Sequence, residues 1–363
     1  MLKASDIIRE DVARVCDRLG KEKIGRLSGK TIVVSGASGL IGGYFADLAA
    51  YINDARLTEM PCRLIGIQKT PAEKSPRLAH LLDRKDMKFI AADASHPVAE
   101  IADGPVDFII HAAGFSAPAL FQADPLGTID INVNGIRWLL ELARSKKSES
   151  ILYVSSGEIY GDPPPEWLPT PETFPGNTLT YSSRACYTEA KRLSETLCAV
   201  YAEQYGVPAK IARSFIVYGP GISITDRRVM ADFIRSGLQG KPISMMSAGR
   251  DTRSYCYITD AMVAFVDLLL SSENGSPFNI ASDLEEVSIH DLATLVHKIS
   301  GIKEPVIVPP EKEVAGFIKD APKHMWPDIT KLRKTFHFAP EVKMEEGLRR
   351  TIEWNRRMSG VAA

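Results

Sequence analysis

Apolar residues along the chain fall into two kinds of segment, and the two kinds alternate. Short runs rich in β-branched residues, TIVVSG (31–36), RLIGI (63–67), MKFIAA (87–92), VDFIIHAA (106–113), SILYVSS (150–156) and AKIARSF (209–215), have the length and composition of buried strands. Helical segments such as 43–52, 131–146 and 185–205 lie between them. This order predicts an α/β fold: a Rossmann-type doubly wound parallel sheet with helices on both faces. Beyond residue 216 the alternation weakens, and YGPGISITDRR, KPISMM, a helix around 288–300 and MEEGLRRTIEWNRR predict a smaller C-terminal lobe. Ahead of the first strand, residues 5–19 set Ile8, Val12, Val15 and Leu19 at helical spacing behind a Ser5 or Asp6 cap. That segment reads as an accessory helix packing on the body or on a second subunit. DPPPEWLPTPETFPG at 162–176 reads as a long surface loop.

The chain has 363 residues and no linker that would divide it into independently folding halves. Its 44 basic and 45 acidic residues leave a net charge of -1, so no global field draws it to nucleic acid or an anionic membrane. Cys16, Cys62, Cys186, Cys198 and Cys256 are odd in number and include no C-x-x-C pair, a pattern that fits neither a disulfide framework nor a zinc site, and no metal is expected. The first 29 residues are rich in charge, and no later stretch approaches a membrane span, so a cytoplasmic protein is expected.

Candidate chemistry begins at SGASGLIGG (35–43), which follows the first strand and opens a helix. Gly36, Gly39 and Gly42 suit a turn whose backbone must approach a pyrophosphate and whose helix must pack closely on the strand. Ser38, Leu40 and Ile41 complete this candidate dinucleotide turn. After the second strand an acidic residue would select NAD and a basic one would tolerate NADP, but Gln68 and Lys69 stand there, so the usual discriminator is missing. Asp93 is either a partner of the adenine amino group or a plain turn carboxylate. The small residues Ala112, Ala113 and Gly114 end the fourth strand where a cofactor would run, and His111 reads as structural rather than catalytic. The expected division is therefore an accessory helix at 1–29, a dinucleotide-binding domain at 30–216 with returning segments near 250–280, and a mainly substrate-binding lobe at 217–363.

Tyr187 and Lys191 lie four residues apart, on one face of a helix. A tyrosine near its free pKa of about 10 is a poor base at neutral pH, and a neighbouring cation favours the phenolate. Upstream, Ser155, Ser156 and Glu158 sit at the C-terminal end of a buried strand, where open α/β sheets bind ligands. Ser156 is the candidate to hold the reacting oxygen while Tyr187 accepts its proton and hydride passes to a nicotinamide.

The run from SGASGLIGG through HAAG, INVNG (131–135), LYVSSGEIYGDP, RACYTEAKR, ARSFIVYGPG and PDITKLRKTF resembles the extended short-chain dehydrogenase/reductase family of nucleotide-sugar epimerases, dehydratases and decarboxylases. The resemblance covers roughly residues 30–355 in family order. It implies pyrophosphate binding by Gly36, Gly39 and Gly42, a cofactor contact at Asn132, Ser156 as catalytic serine, Tyr187 as base and Lys191 as the ribose-binding lysine. It further implies NAD as cofactor, with NADP not excluded, a nucleotide-sugar substrate and a homodimer.

Family members first oxidise sugar C4 to a ketone. RACYTEAKR, SFIVYGPG, DRRVMADFIRSGLQGKPI and DTRSY are most similar to the UDP-glucuronate decarboxylase (UDP-xylose synthase) group, in which Glu158 and Arg253 match important positions. Arg253 is either a substrate contact through its planar fork of donors or a salt-bridge residue, and Arg184 is a second candidate for the substrate. Gly157 stands where dehydratases carry an acid and related decarboxylases a serine, which counts against 4,6-dehydration. Decarboxylation of UDP-glucuronate is the first expectation and 4-epimerisation the alternative. A 4,6-dehydratase or NADPH-dependent sugar reductase ranks below them, and a non-enzymatic dinucleotide sensor has Ser156, Tyr187 and Lys191 against it.

Overall fold

The computed structural model describes residues 3–101, 103–309 and 322–359. Met1 and Leu2 of the expected N-terminal segment, and positions 310–321 and 360–363 of the expected lobe, lie outside them. In chain order the elements are α1 (Ala4–Gly25), β1 (Thr31–Ser35), α2 (Leu40–Asp54), β2 (Arg63–Gln68), β3 (Met87–Ala91), β4 (Phe108–His111), α3 (Pro118–Phe121), α4 (Pro125–Lys146), β5 (Ser150–Ser156), α5 (Ala185–Tyr205), β6 (Ala209–Ser214) and β7 (Ile216–Tyr218). They continue with α6 (Val229–Leu238), β8 (Ile243–Ser244), β9 (Thr252–Tyr257), α7 (Ile258–Leu269), β10 (Pro277–Ile280), β11 (Glu286–Ser288), α8 (Ile289–Ser300), β12 (Val306–Ile307), β13 (His324–Met325), α9 (Thr330–Phe336) and α10 (Met344–Ser359).

Seven strands form one sheet in the order β10-β6-β5-β4-β1-β2-β3. Every neighbouring pair in it is parallel. A strand buried on both faces must be apolar throughout, and β1 shows how this is met. Ile32 and Val34 join the core beneath α2 and α7, while Val33 joins the opposite core with Ile136, Leu139 and Leu140 of α4. The strand order reverses between β1 and β4, which opens a crevice at their C-terminal ends.

Beyond β6 a second sheet orders β11-β9-β13 with β7 paired to β9, and β8 and β12 form a short parallel pair. Two elements here went unread in the sequence. β10 adds the seventh strand beside β6, and α7 is buried along its whole length between the sheet and α1.

The N-terminal helix packs on the body of its own chain, against α2, α7 and α10. Gly20, in a left-handed conformation (φ 75), interrupts it near the expected end at residue 19. Asp11, fully buried, accepts hydrogen bonds from Tyr44 Oη (3.0 Å), Tyr257 Oη (2.7 Å) and Arg350 Nε (2.9 Å). Arg18 pairs with Asp260, and Lys23 with Asp267 at 2.5 Å.

The proline-rich stretch expected as a surface loop is partly interior. Thr170 and Phe174 are buried, and Asn279 Nδ2 of β10 donates to the Thr170 carbonyl at 3.0 Å. Apolar and hydroxyl groups among its prolines give it a face to pack, which a reading based on proline content overlooks.

Candidate active site

Gly39 caps α2 without a side-chain hydrogen bond, so the first amides of the helix are left for a ligand. Gly36 has φ +79, and a Cβ there would stand 2.7 Å from the Ala113 amide and 2.8 Å from the Ala112 carbonyl oxygen. A Cβ on Gly42 would run into the Gly36 carbonyl oxygen. The turn thus keeps its shape only with glycine at both positions, and this cradle fits a dinucleotide pyrophosphate.

Ser38, Gly39, Leu40, Ile41 and Gly42 line one end of a cavity of about 1120 Å³, with Ala112, Ala113 and Gly114 across from them. The same cavity is lined further along by Ser156, Glu158, Arg184, Tyr187, Lys191 and Arg253. Residues separated by up to about 215 positions in the sequence are therefore gathered around one space.

β5 and α5 position the central groups. Every residue of β5 is buried, and the strand ends in a tight turn at 157–160 in which Ser156 Oγ accepts from the Glu158 amide at 3.1 Å. The neighbouring Ser155 is committed elsewhere: its hydroxyl donates to Glu195 at 2.5 Å, and Glu195 is held by Arg213 at 2.8 Å. Tyr187, 6% exposed, stacks on Phe121 with ring centroids 4.9 Å apart and planes at 8°. Lys191 Nζ donates to the Val154 carbonyl at 2.7 Å and lies 5.7 Å from the centre of the Tyr187 ring.

The electrostatics differ from the expectation that Lys191 would pull the phenol pKa down. Burial raises the Tyr187 pKa, helped by the negative charge of Glu158, and is opposed by a hydrogen bond with Ser156 and by Arg228. Burial also pushes the Lys191 ammonium down to about 7, with Glu195 and Cys198 opposing. Desolvation dominates both groups because each leaves water for an apolar site.

Burial raises the Glu158 carboxyl as well, and Arg184 and Arg253 counter it. Arg184 Nη2 reaches Glu158 at 3.3 Å, while its Nη1 is buried without a hydrogen-bond partner. Arg253 donates to the carbonyls of Thr252 (2.8 Å) and Lys323 (3.0 Å) and faces Asp251 only at 3.8 Å. Gly157, where a serine or an acid was the expected pattern, has no room for either, since a Cβ would meet the Phe215 ring at 2.8 Å.

Three residues expected at the cofactor lie outside the cavity lining. Asn132 is buried between α4 and β5, donating to Thr128 O (2.8 Å) and accepting from Tyr153 Oη (3.3 Å), so packing contacts occupy its amide. Asp93 accepts from the Ser95 amide (3.0 Å) and hydroxyl (2.7 Å) and pairs with Lys69 at 3.5 Å, which fits the turn-carboxylate alternative. Gln68 is 3% exposed, and neither side-chain polar atom has a partner. His111 joins Ser35 Oγ (2.6 Å) to the Ile131 carbonyl (2.9 Å), and burial pushes its pKa down to about 3.

The lining also contains groups the sequence reading did not single out, among them Phe215, Arg228 and Tyr255. Tyr255 carried one usable signal. It follows Arg253 by two positions on a strand, and period two places both on one face.

Residues 32–281 match the model of the NAD-dependent epimerase/dehydratase family. The chain belongs to that family. NAD is accordingly its cofactor, and the glycine cradle of α2 is built for it. Among curated relatives, UDP-glucuronic acid decarboxylase 5 of Arabidopsis thaliana is 31% identical over 321 residues, covering 88% of each chain. Among solved structures, UDP-glucose 4-epimerase of Thermotoga maritima shares the family fold with a TM-score of 0.76 at 23% identity, covering 91% of this chain and 99% of that one. UDP-glucuronic acid 4-epimerase of Bacillus cereus superposes with a TM-score of 0.72 at 23% identity, covering 92% and 100%.

Proposed function

We propose that this family member decarboxylates UDP-glucuronate through a 4-keto intermediate. The observation that carries the proposal is a carboxyl, Glu158, set beside the Tyr187 phenol and flanked by Arg184 and Arg253 in one cavity. The curated relatives bearing the name UDP-glucuronic acid decarboxylase support the choice of substrate.

Ser156 Oγ holds the sugar C4 hydroxyl, and Tyr187 accepts its proton. Bound NAD would supply a hydride acceptor for C4 and a positive charge favouring the Tyr187 phenolate. Lys191 holds the nicotinamide ribose. With C4 a ketone, the C6 carboxylate belongs to a β-keto acid: the C5–C6 bond breaks, carbon dioxide leaves, and the electron pair passes into the ketone as an enolate. A proton then returns to C5, and Glu158 is the acid placed to manage it. Arg184 and Arg253 offer the cationic donors that bind the sugar carboxylate or the diphosphate. Ser38, Gly39, Leu40, Ile41, Gly42, Ala112, Ala113 and Gly114 form the cofactor side of the cavity, and Gly36 shapes the turn that carries the first of them.

The second reading is 4-epimerisation, the reaction named for the solved UDP-glucuronic acid 4-epimerase whose fold the chain shares. Incubation with UDP-glucuronate and product mass analysis tests both: loss of carbon dioxide is the expected result, an unchanged mass with altered C4 configuration selects the epimerase, and no conversion removes both.

The proposal extends to the setting. A homodimer through α4 and α5 is supported by the exposed apolar side chains Leu126, Ile129 and Leu193 on their outer faces. A cytoplasmic location is supported by five cysteines that are all unpaired. Light scattering on the purified protein measures the first, and cell fractionation the second. Among the described residues no helix is long and apolar enough to cross a membrane.

A further inference from the structure

Tyr255 stands on β9 two residues after Arg253, so both side chains project from the same face. Both line the cavity, and Arg228 joins them there from the segment before α6. Tyr255 is 6% exposed, yet its hydroxyl has no hydrogen-bond partner among the described residues. A buried hydroxyl without a partner is uncommon and asks for a reason.

Packing holds the ring without any help from that hydroxyl. Tyr218 meets it edge-on, with centroids 6.2 Å apart and planes at 89°. Among the described residues the two charges that act on the phenol are both cations, Arg253 and Arg228. Arg228 is braced by Asp226, with contacts of 2.7 to 3.0 Å to both carboxylate oxygens. The two arginines also connect the phenol to the reacting end of the cavity. Arg228 acts on Tyr187, and Arg253 on Glu158.

We propose that Tyr255 is a substrate-binding residue whose hydroxyl donates to an anionic oxygen of the substrate held between Arg228 and Arg253. Two neighbouring guanidiniums and an unused O–H all offer protons to one region, and a phosphate or carboxylate oxygen is the group that accepts from all three. In a nucleotide sugar that oxygen comes from the diphosphate or from a sugar carboxylate. The assignment rests on the reading that this cavity takes a nucleotide sugar.

The test is Tyr255→Phe, which keeps the packed ring and removes only the hydroxyl. Calorimetric titration of the NAD-loaded protein with UDP, UDP-glucose and UDP-glucuronate is compared with wild type, alongside the melting temperature without nucleotide sugar. The expected result is an affinity about tenfold or more weaker, as for a hydrogen bond to a charged group, with no loss of melting temperature. Equal weakening for all three ligands identifies the diphosphate as the source, and weakening confined to UDP-glucuronate identifies the carboxylate. Unchanged affinity for every ligand overturns the assignment, as does a lower melting temperature with unchanged affinity, which marks a structural hydroxyl. A wild type that fails to convert UDP-glucuronate while Tyr255→Phe still weakens UDP leaves Tyr255 assigned and removes only the decarboxylase reading.

Discussion

Lys191 gives a prediction that runs against intuition for a proposed catalytic residue. Its ammonium is 5% exposed, and burial lowers its pKa from 10.5 to about 7. At 1.36 kcal/mol for each factor of ten in proton affinity, that fall corresponds to roughly 4–5 kcal/mol of destabilisation of the folded state while the lysine is charged in both states. Below pH 7 both states carry the proton and the whole penalty is present. As pH rises from about 7 to about 10.5 the folded protein gives up the proton while the unfolded chain keeps it, so the penalty shrinks to nothing. Lys191→Met removes the charge but also the 2.7 Å hydrogen bond to the Val154 carbonyl, which returns about 1–2 kcal/mol in the opposite direction. The variant should therefore be about 2–4 kcal/mol more stable than wild type at pH 7, and the advantage should fade by pH 10. Urea denaturation of the cofactor-free protein at several pH values measures this, with turnover assayed in parallel and expected to be lost. A variant less stable than wild type at pH 7, with a gap that does not change with pH, would show that desolvation of Lys191 is not the dominant effect.

Tyr187→Phe should fold and retain NAD while turnover drops by about 10²–10⁴-fold, the usual contribution of a positioned acid–base group. Wild-type turnover in that variant removes the assignment. Glu158→Gln should stop steady-state turnover, because the enolate left when carbon dioxide departs is no longer reprotonated at C5. Because burial raises the Glu158 carboxyl above 4.5 and its role as an acid needs the proton, the wild-type rate should fall as pH rises through a limb lying above that value, and a limb persisting in the variant belongs to another group. Arg350→Met leaves Asp11 buried without its 2.8 Å ion pair and should cost about 3–5 kcal/mol in chemical denaturation, with a loss under 1 kcal/mol counting against a structural role for the pair.

The strands of the main sheet were legible because a strand covered on both faces has to be apolar and short, and Val33 or Ile109 could hardly occupy another setting. Helix α7 was not, for the opposite reason: ITDAMVAFVDLL is buried on all sides, and Thr259, Asp260 and Asp267 are the only polar residues along it from which a helical period could be measured. At the cavity, Tyr187, Lys191 and Ser156 were legible as a spacing and a strand end. Their ionisation was not, since the burial that raises one pKa and lowers the other comes from Phe121, Tyr153 and the sheet rather than from sequence neighbours. Asn132 fell to the same limitation. Its position on α4 is evident from the chain, but whether its amide turns toward the crevice or toward Tyr153 is decided by tertiary packing.

Asp11 and Arg350 come from helices near opposite ends of the described chain, and Arg357 adds a hydrogen bond to the Lys3 carbonyl at 3.3 Å. The first and last helices thus fasten to each other like a buckle, α1 lying over α2 and α7 and α10 over α8 and α6. Engineering that trims the leading helix would strip the cover from Tyr44, Tyr257 and the outer side of α7 together.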